Sequence, residues 1–313
     1  VGSLLTRGIG LIVLMVGACS TPSPATGTER GPCYGNGTCN AGLTCASDVC
    51  VSLAGDAGLD DANPAEPDAA TMGCDGVFGS PVPVLMMAGA LSPAVTADEL
   101  ELFYTVGSHY FVATRSSASG VFFQSRALNE LDAACPVSTG LRSIDVSNDG
   151  LRVYLGCNDS GGALVTAHRT ARTSTATFIA DGTMTGGFYE PAVVMNEFAL
   201  YDRGPTWAAR TDIGAAFPQR MPIPNFTTML EAPDVSPDGL TLYGHAMTPG
   251  GFSILAYTRS STGVDFDPNS VTMLPNPTGQ SLAASPEISA SCRTLYVAAG
   301  GSSGLVGIFA SHR

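Results

Sequence analysis

Ala232-Pro233-Asp234-Val235-Ser236-Pro237-Asp238-Gly239-Leu240-Thr241-Leu242-Tyr243 reads as strand, tight turn, strand. Pro237 presets φ, and Asp238-Gly239 supplies the positive-φ positions that let antiparallel strands meet without splaying. Leu240 to Tyr243 then alternates at period two, the pattern of a half-buried strand.

Variants of this hairpin recur. The other copies are Pro93–Tyr104, Ile144–Tyr154, Pro191–Tyr201 and Pro286–Tyr296, so the closing tyrosines stand at 104, 154, 201, 243 and 296, with gaps of 50, 47, 42 and 53. Periods of this length signal propeller blades. A short apolar strand ending in Arg follows each copy, closing on Arg115, Arg169, Arg210, Arg259 and Arg313. In four copies a further segment begins with an aromatic, at Phe122-Phe123, Phe178, Phe217 and Phe266. That makes four strands per unit. The fifth copy ends without its last strand, and Phe78–Leu85 ahead of the first hairpin matches the missing segment. The expected fold is all-β: a five-bladed propeller over residues 74–313, closed by an N-terminal strand that removes the open edges.

The Ser-Pro-Asp-Gly-Leu-Thr-Leu-Tyr unit and its relatives resemble the TolB-like, WD-like propeller repeat of bacterial exported proteins. The resemblance spans residues 78–313. It implies a binding platform or an accessory domain of a peptidase. No α/β domain accompanies the repeats to carry a nucleophile elbow, and no Ser-x-Asp-x-Gly-x-Thr-Trp motif recurs.

The N-terminal part reads as an address and a tether. In residues 1–18, Arg7 precedes the apolar run Ile9–Val16, too short to span a bilayer and suited to a signal peptide. Val16-Gly17-Ala18-Cys19 resembles the lipobox of bacterial lipoproteins. The resemblance implies lipidation of Cys19 and a membrane anchor of several acyl chains, such as palmitate. By the same resemblance, Ser20 points to the outer membrane, with the protein facing either the periplasm or the cell surface. Residues 19–32 form a polar tether.

Residues 33–50 hold Cys33, Cys39, Cys45 and Cys50 among Gly, Asn and Thr. So small a segment needs staples. Export favours disulfides over zinc, and no Cys-x-x-Cys pair is present. Three connectivities are open, with Cys33–Cys45 and Cys39–Cys50 preferred. Residues 51–73 are Ala, Gly and acid with almost no large apolar side chain, a disordered acidic linker. With Cys19 lipidated, the nine cysteines leave eight. Cys292 replaces the turn Gly of the fifth hairpin and Cys74 precedes the closing strand, so a Cys74–Cys292 bond would lock the ring seam. Cys135 and Cys157 flank the second hairpin and pair by default.

The 313 residues carry a net charge of −13, and all 14 basic residues are Arg. An acidic chain without a basic stripe makes nucleic acid an unsuitable partner. The four histidines show no metal-ligand spacing, and no cofactor motif is present. The best functional signal is acidic. The inner strands, which line a propeller's channel, carry Asp145, Asp234 and Glu287 at one repeat position, with Ala94 and Ala192 in the other two copies and Glu190 nearby. Two roles are open for these acids: binding a cation or a ligand's basic group, or hydrogen-bonding backbone amides of neighbouring blades. The functional expectation is an envelope lipoprotein whose propeller binds a protein or glycan without catalysis. The alternatives are a glycan-active enzyme using the channel carboxylates and a purely structural envelope protein. The recurrent arginines are expected to be architectural, pairing with acids between blades.

Overall fold

The computed structural model describes residues 26, 40, 43–46, 49–52, 74, 76–136, 142–157, 162–194, 197–213 and 215–313. The signal segment, Cys19, Cys33 and Cys39 lie outside the described residues, as does most of the linker. In the N-terminal unit, Leu43–Ala46 pairs antiparallel with Val49–Ser52. Val51 and Ser52 therefore belong to a strand and not to the linker.

Residues 76–313 build five four-stranded antiparallel sheets. Blade 1 runs through Ala90–Val95, Glu101–Val106, His109–Thr114 and Phe123–Ala127. Blade 2 comprises Arg142–Val146, Arg152–Cys157, Ala163–His168 and Ile179–Thr185. Blade 3 is Ala192–Val194, Ala199–Asp202, Thr206–Ala209 and Met221–Pro222. Blade 4 is Glu231–Val235, Thr241–Thr248, Gly251–Thr258 and Thr272–Met273. Blade 5 takes Leu282–Ile288, Thr294–Gly301 and Gly304–His312 from the C-terminal end, and Val82–Leu85 supplies its outer strand. The N-terminal strand thus closes the ring as the repeat spacing requires. One short helix, Asn129–Ala134, follows blade 1 and buries Leu131.

The opening hairpin turns differently from the tight Asp-Gly turn expected. Gly239 N–H donates to the Ser236 carbonyl at 2.7 Å, and Ser236 N–H to Thr241 O at 2.9 Å. Of the Asp-Gly pair, Gly239 alone is left-handed, at φ +72°. This is the pattern of a type I turn followed by a left-handed residue, a three-residue loop with Pro237 at its favoured position. The Asp238 carboxylate accepts Ser236 Oγ at 2.6 Å and the Leu240 amide at 2.9 Å.

Every blade has its left-handed residue at this same place: Glu99, Gly150, Glu197, Gly239 and Cys292. The recurrent arginine of the blade caps the turn. Arg115, Arg169, Arg210 and Arg259 each donate Nε–H to the carbonyl of that residue, at 2.5, 2.8, 2.8 and 2.6 Å. The guanidinium also stacks on the blade's own aromatic, with Arg115 4.3 Å from the Phe122 ring centroid, Arg210 4.3 Å from Phe217 and Arg259 4.3 Å from Phe266. It then reaches the preceding blade. Arg115 donates to the Tyr296 hydroxyl at 2.7 Å, Arg210 to Tyr154 at 2.8 Å and Arg313 to Tyr243 at 2.9 Å. The recurrent Tyr, Arg and Phe are one blade-to-blade staple, a cation–π contact joined to a hydrogen bond. Acids join it at some seams, as Arg115–Glu99 and Arg169–Glu101 show.

Two disulfides lie in the propeller. Cys74 bonds Cys292, with Cα atoms 5.1 Å apart, and Cys135 bonds Cys157, with Cα atoms 5.7 Å apart.

Candidate functional site: the axial channel

Three inner strands carry an X-Pro step, Ser92-Pro93, Ala232-Pro233 and Ser285-Pro286, and in blade 3 Glu190-Pro191 leads into the strand. In blades 1, 4 and 5 the residue before Pro has positive φ, and the pairing register shifts there. Such a bulge re-aims the residue that follows, here Ala94, Asp234 and Glu287. The prolines ring a narrow end of the channel with a cavity of only about 20 Å³. The other end widens into a cavity of about 360 Å³. Its walls include Val95, Val146, Val193, Val235 and Ile288, and its acids include Asp145, Asp234 and Glu287.

The three carboxylates of the shared repeat position therefore meet in one cavity. Each also bridges to the next blade. Asp145 accepts the Val193 amide of blade 3 and the Val146 amide of its own strand, the latter at 2.6 Å. Asp234 accepts the Ile288 amide of blade 5 at 2.6 Å and its own Val235 amide at 2.7 Å. Glu287 accepts the Val95 amide of blade 1 at 3.3 Å and is the most open of the three to the cavity. Glu190 stands apart at the narrow end, where it accepts the Ala232 amide of blade 4 at 2.7 Å. All four acids thus make one kind of contact: blade n's carboxylate takes blade n+1's backbone N–H.

Removing these groups from water favours their neutral form. Burial pushes Asp145 up to about 7 and, with the Asp145 charge beside it, pushes Asp234 up to about 8. Burial and the repulsion of both aspartates raise Glu287 well above the usual carboxylate range. Burial pushes Glu190 up to about 7. Among the described residues no cluster of His, Cys, Asp or Glu is placed to hold a metal ion.

The other candidates take structural places. His109 and His168 are exposed and pair with Asp132 and Asp181 at 2.8 and 2.5 Å. His312 contacts Thr294 at 3.2 Å. His245 is buried 3.5 Å from Glu231, and burial pushes its pKa down. Gly300-Gly301-Ser302-Ser303-Gly304 has nucleophile-elbow spacing, but it forms the tip of a blade 5 hairpin and not a strand-to-helix turn. Sequence reasoning missed Glu197 and Ile213 on the cavity lip. The signal for Glu197 was available, since it stands where the opening hairpin has Gly239.

No protein-family model matches the chain, and no curated protein matches it. Among solved structures it is similar to a GH43_1 enzyme from Xanthomonas citri complexed with xylotriose, at 12% identity over 74% of this chain and 88% of that one, with a TM-score of 0.49. It is also similar to a luciferin-regenerating enzyme, at 10% identity over 74% of this chain and 95% of that one, TM-score 0.44. TolB from Acinetobacter baumannii matches at 14% identity over 72% of this chain and 49% of that one, TM-score 0.37. These likenesses concern the fold alone, and the propeller assignment rests on the five sheets themselves.

Proposed function

We propose that this is an exported envelope lipoprotein, anchored through Cys19, whose propeller is a non-catalytic binding platform. One observation carries the non-catalytic reading: the channel carboxylates are occupied as blade-to-blade acceptors. A glycosidase needs two carboxyl groups free to flank a sugar bond. Asp145 and Asp234 each have both oxygens on backbone amides, so of the three inner-strand acids only Glu287 keeps an oxygen clear of the blade-to-blade contacts.

The wide mouth still binds. It is an acid-floored cavity with aliphatic walls and no aromatic ring among its lining residues. That lining suits a basic, apolar-stemmed side chain of a partner protein better than the flat face of a sugar. Asp149 and Glu197 also line the cavity; Glu197 is the counter-charge of Arg152 at 3.0 Å and Arg210 at 3.8 Å, so the exposed Asp149 is the acid that adds to the field. The experiment is a pull-down of envelope proteins on the immobilised propeller, beside a glycan array. The reading expects a salt-sensitive protein partner that Asp149→Asn weakens severalfold. Glycan hydrolysis abolished by Glu287→Gln would overturn it. The anchor is tested separately by labelled palmitate incorporation, which Cys19→Ser should abolish.

A further inference from the structure

We infer that the seam between blades 3 and 4 holds a second binding site, for a small aromatic carboxylate. A cavity of about 370 Å³ opens there, within the size range of small-molecule sites. The rings of Phe198, Tyr201, Trp207 and Phe266 line it, with Arg210 and Arg259. Its two blades have the shortest outer strands of the ring, Met221–Pro222 and Thr272–Met273, against Phe123–Ala127 and Ile179–Thr185 in blades 1 and 2. Phe198 and Val264 on the lining are 39% and 46% exposed.

Charge decides the ligand. The recurrent arginines elsewhere have acids beside them. Arg115 has Glu99 at 3.1 Å, Arg169 has Glu101 at 2.5 Å, Arg210 has Glu197 at 3.8 Å, and Arg313 acts on Asp238. Arg259 donates to the neutral carbonyls of Gly239 and Val264 and lies beside the Tyr201 hydroxyl. Among the described residues no carboxylate lies within the 4.0 Å ion-pair distance of it. The cause is in the sequence: the turn that Arg259 caps has Gly239 where blades 1 and 3 have Glu99 and Glu197. A partly exposed guanidinium without an ion-pair partner, in an aromatic-walled cavity whose one lining carboxylate, Asp265, stands at the exposed rim, matches a carboxylate carried on a flat apolar body.

Trp207 is the only tryptophan in the chain, so its emission reports this cavity alone. The test titrates the full propeller with 3-phenylpropionate and with its neutral amide. The expected result is a saturable Trp207 emission change, with the acid binding at least tenfold tighter than the amide. Arg259→Gln, if folded by circular dichroism, should erase that preference. Asp265→Asn removes a like charge at the exposed rim without touching the core, and should tighten the acid severalfold while leaving the amide unchanged. No saturable change, equal binding of acid and amide, or a preference that survives in folded Arg259→Gln would each overturn the site. If Arg259→Gln does not fold, Asp265→Asn decides, and an unchanged ratio of acid to amide affinity overturns it.

Discussion

The Arg313 guanidinium lies 4.0 Å from the ring centroid of Phe78, joining the last residue of the propeller to the segment that precedes its first blade. In other blades the recurrent arginine stacks on an aromatic a few residues downstream, as Arg115 does on Phe122. Phe78 fills that place for blade 5 and packs edge-on against Tyr243 of blade 4, as Phe122 does against Tyr296. Ring closure therefore repeats the ordinary blade staple with its parts drawn from both ends of the propeller.

Phe78→Ala should cost about 3–5 kcal/mol, the usual range for a buried Phe. It removes a ring that is 5% exposed, together with its cation–π partner. Urea denaturation followed by circular dichroism measures the loss. Phe123→Ala, a 46% exposed neighbour of the staple in blade 1, should change stability by less than about 1 kcal/mol.

The Cys74–Cys292 bond spans 218 residues and so constrains the unfolded chain strongly. Replacing both cysteines by serine should lower stability by about 2–5 kcal/mol. Hydrogen exchange should then show blade 5 opening before the rest, because the outer strand Val82–Leu85 loses its covalent hold.

Glu99 sits at φ +56°, a conformation unfavourable for a residue with a side chain. Its carboxylate offsets that strain by accepting Arg115 at 3.1 Å and the Tyr296 hydroxyl at 2.6 Å. Glu99→Gly relieves the backbone but strands a guanidinium whose side chain is 1% exposed. The net should be a loss of about 2–4 kcal/mol, since an unpaired buried charge outweighs left-handed strain. Gly239→Ala, which adds strain and no partner, should cost about 1–2 kcal/mol. Chemical denaturation orders the two.

Stability should fall as pH rises from about 4 to 8. Unfolded carboxyls release protons near pH 4. Folded Asp145 and Glu190 hold theirs until about 7 and Asp234 until about 8. Across that window the native state binds more protons, so each group costs up to about 1.4 kcal/mol per pH unit. Below pH 4 the sign reverses for Asp98, Asp149 and Asp238. Hydroxyl and amide donors, with arginine beside Asp98, hold these three below the usual range, so their contribution is lost as pH falls further. Thermal melts should peak near pH 4–5. Asp145→Asn, Asp234→Asn and Glu287→Gln combined should flatten the alkaline side.

Much of this is legible in the residues. Tyr, Arg and Phe recur at fixed places, and the missing outer strand of blade 5 can be found at Phe78–Leu85. Asp145, Asp234 and Glu287 can be grouped because they share a repeat position. Their donors cannot be read, because Val193, Ile288 and Val95 belong to the next blade and come adjacent only when the ring closes. The turn was misjudged at Asp238 because Asp-Gly suits both a two-residue turn and a three-residue loop. The cavity beside Trp207 was invisible for a different reason: it arises where two outer strands are only two residues long, and strand length leaves no mark on the motif.

The central claim is that the channel acids clasp neighbouring blades. Amide hydrogen exchange of Val193 and Ile288 in Asp145→Ala and Asp234→Ala tests it most directly. The account predicts that Asp145→Ala speeds exchange at Val193 at least tenfold and leaves Ile288 protected, with the reverse in Asp234→Ala. Unchanged protection at both amides in both variants would contradict it.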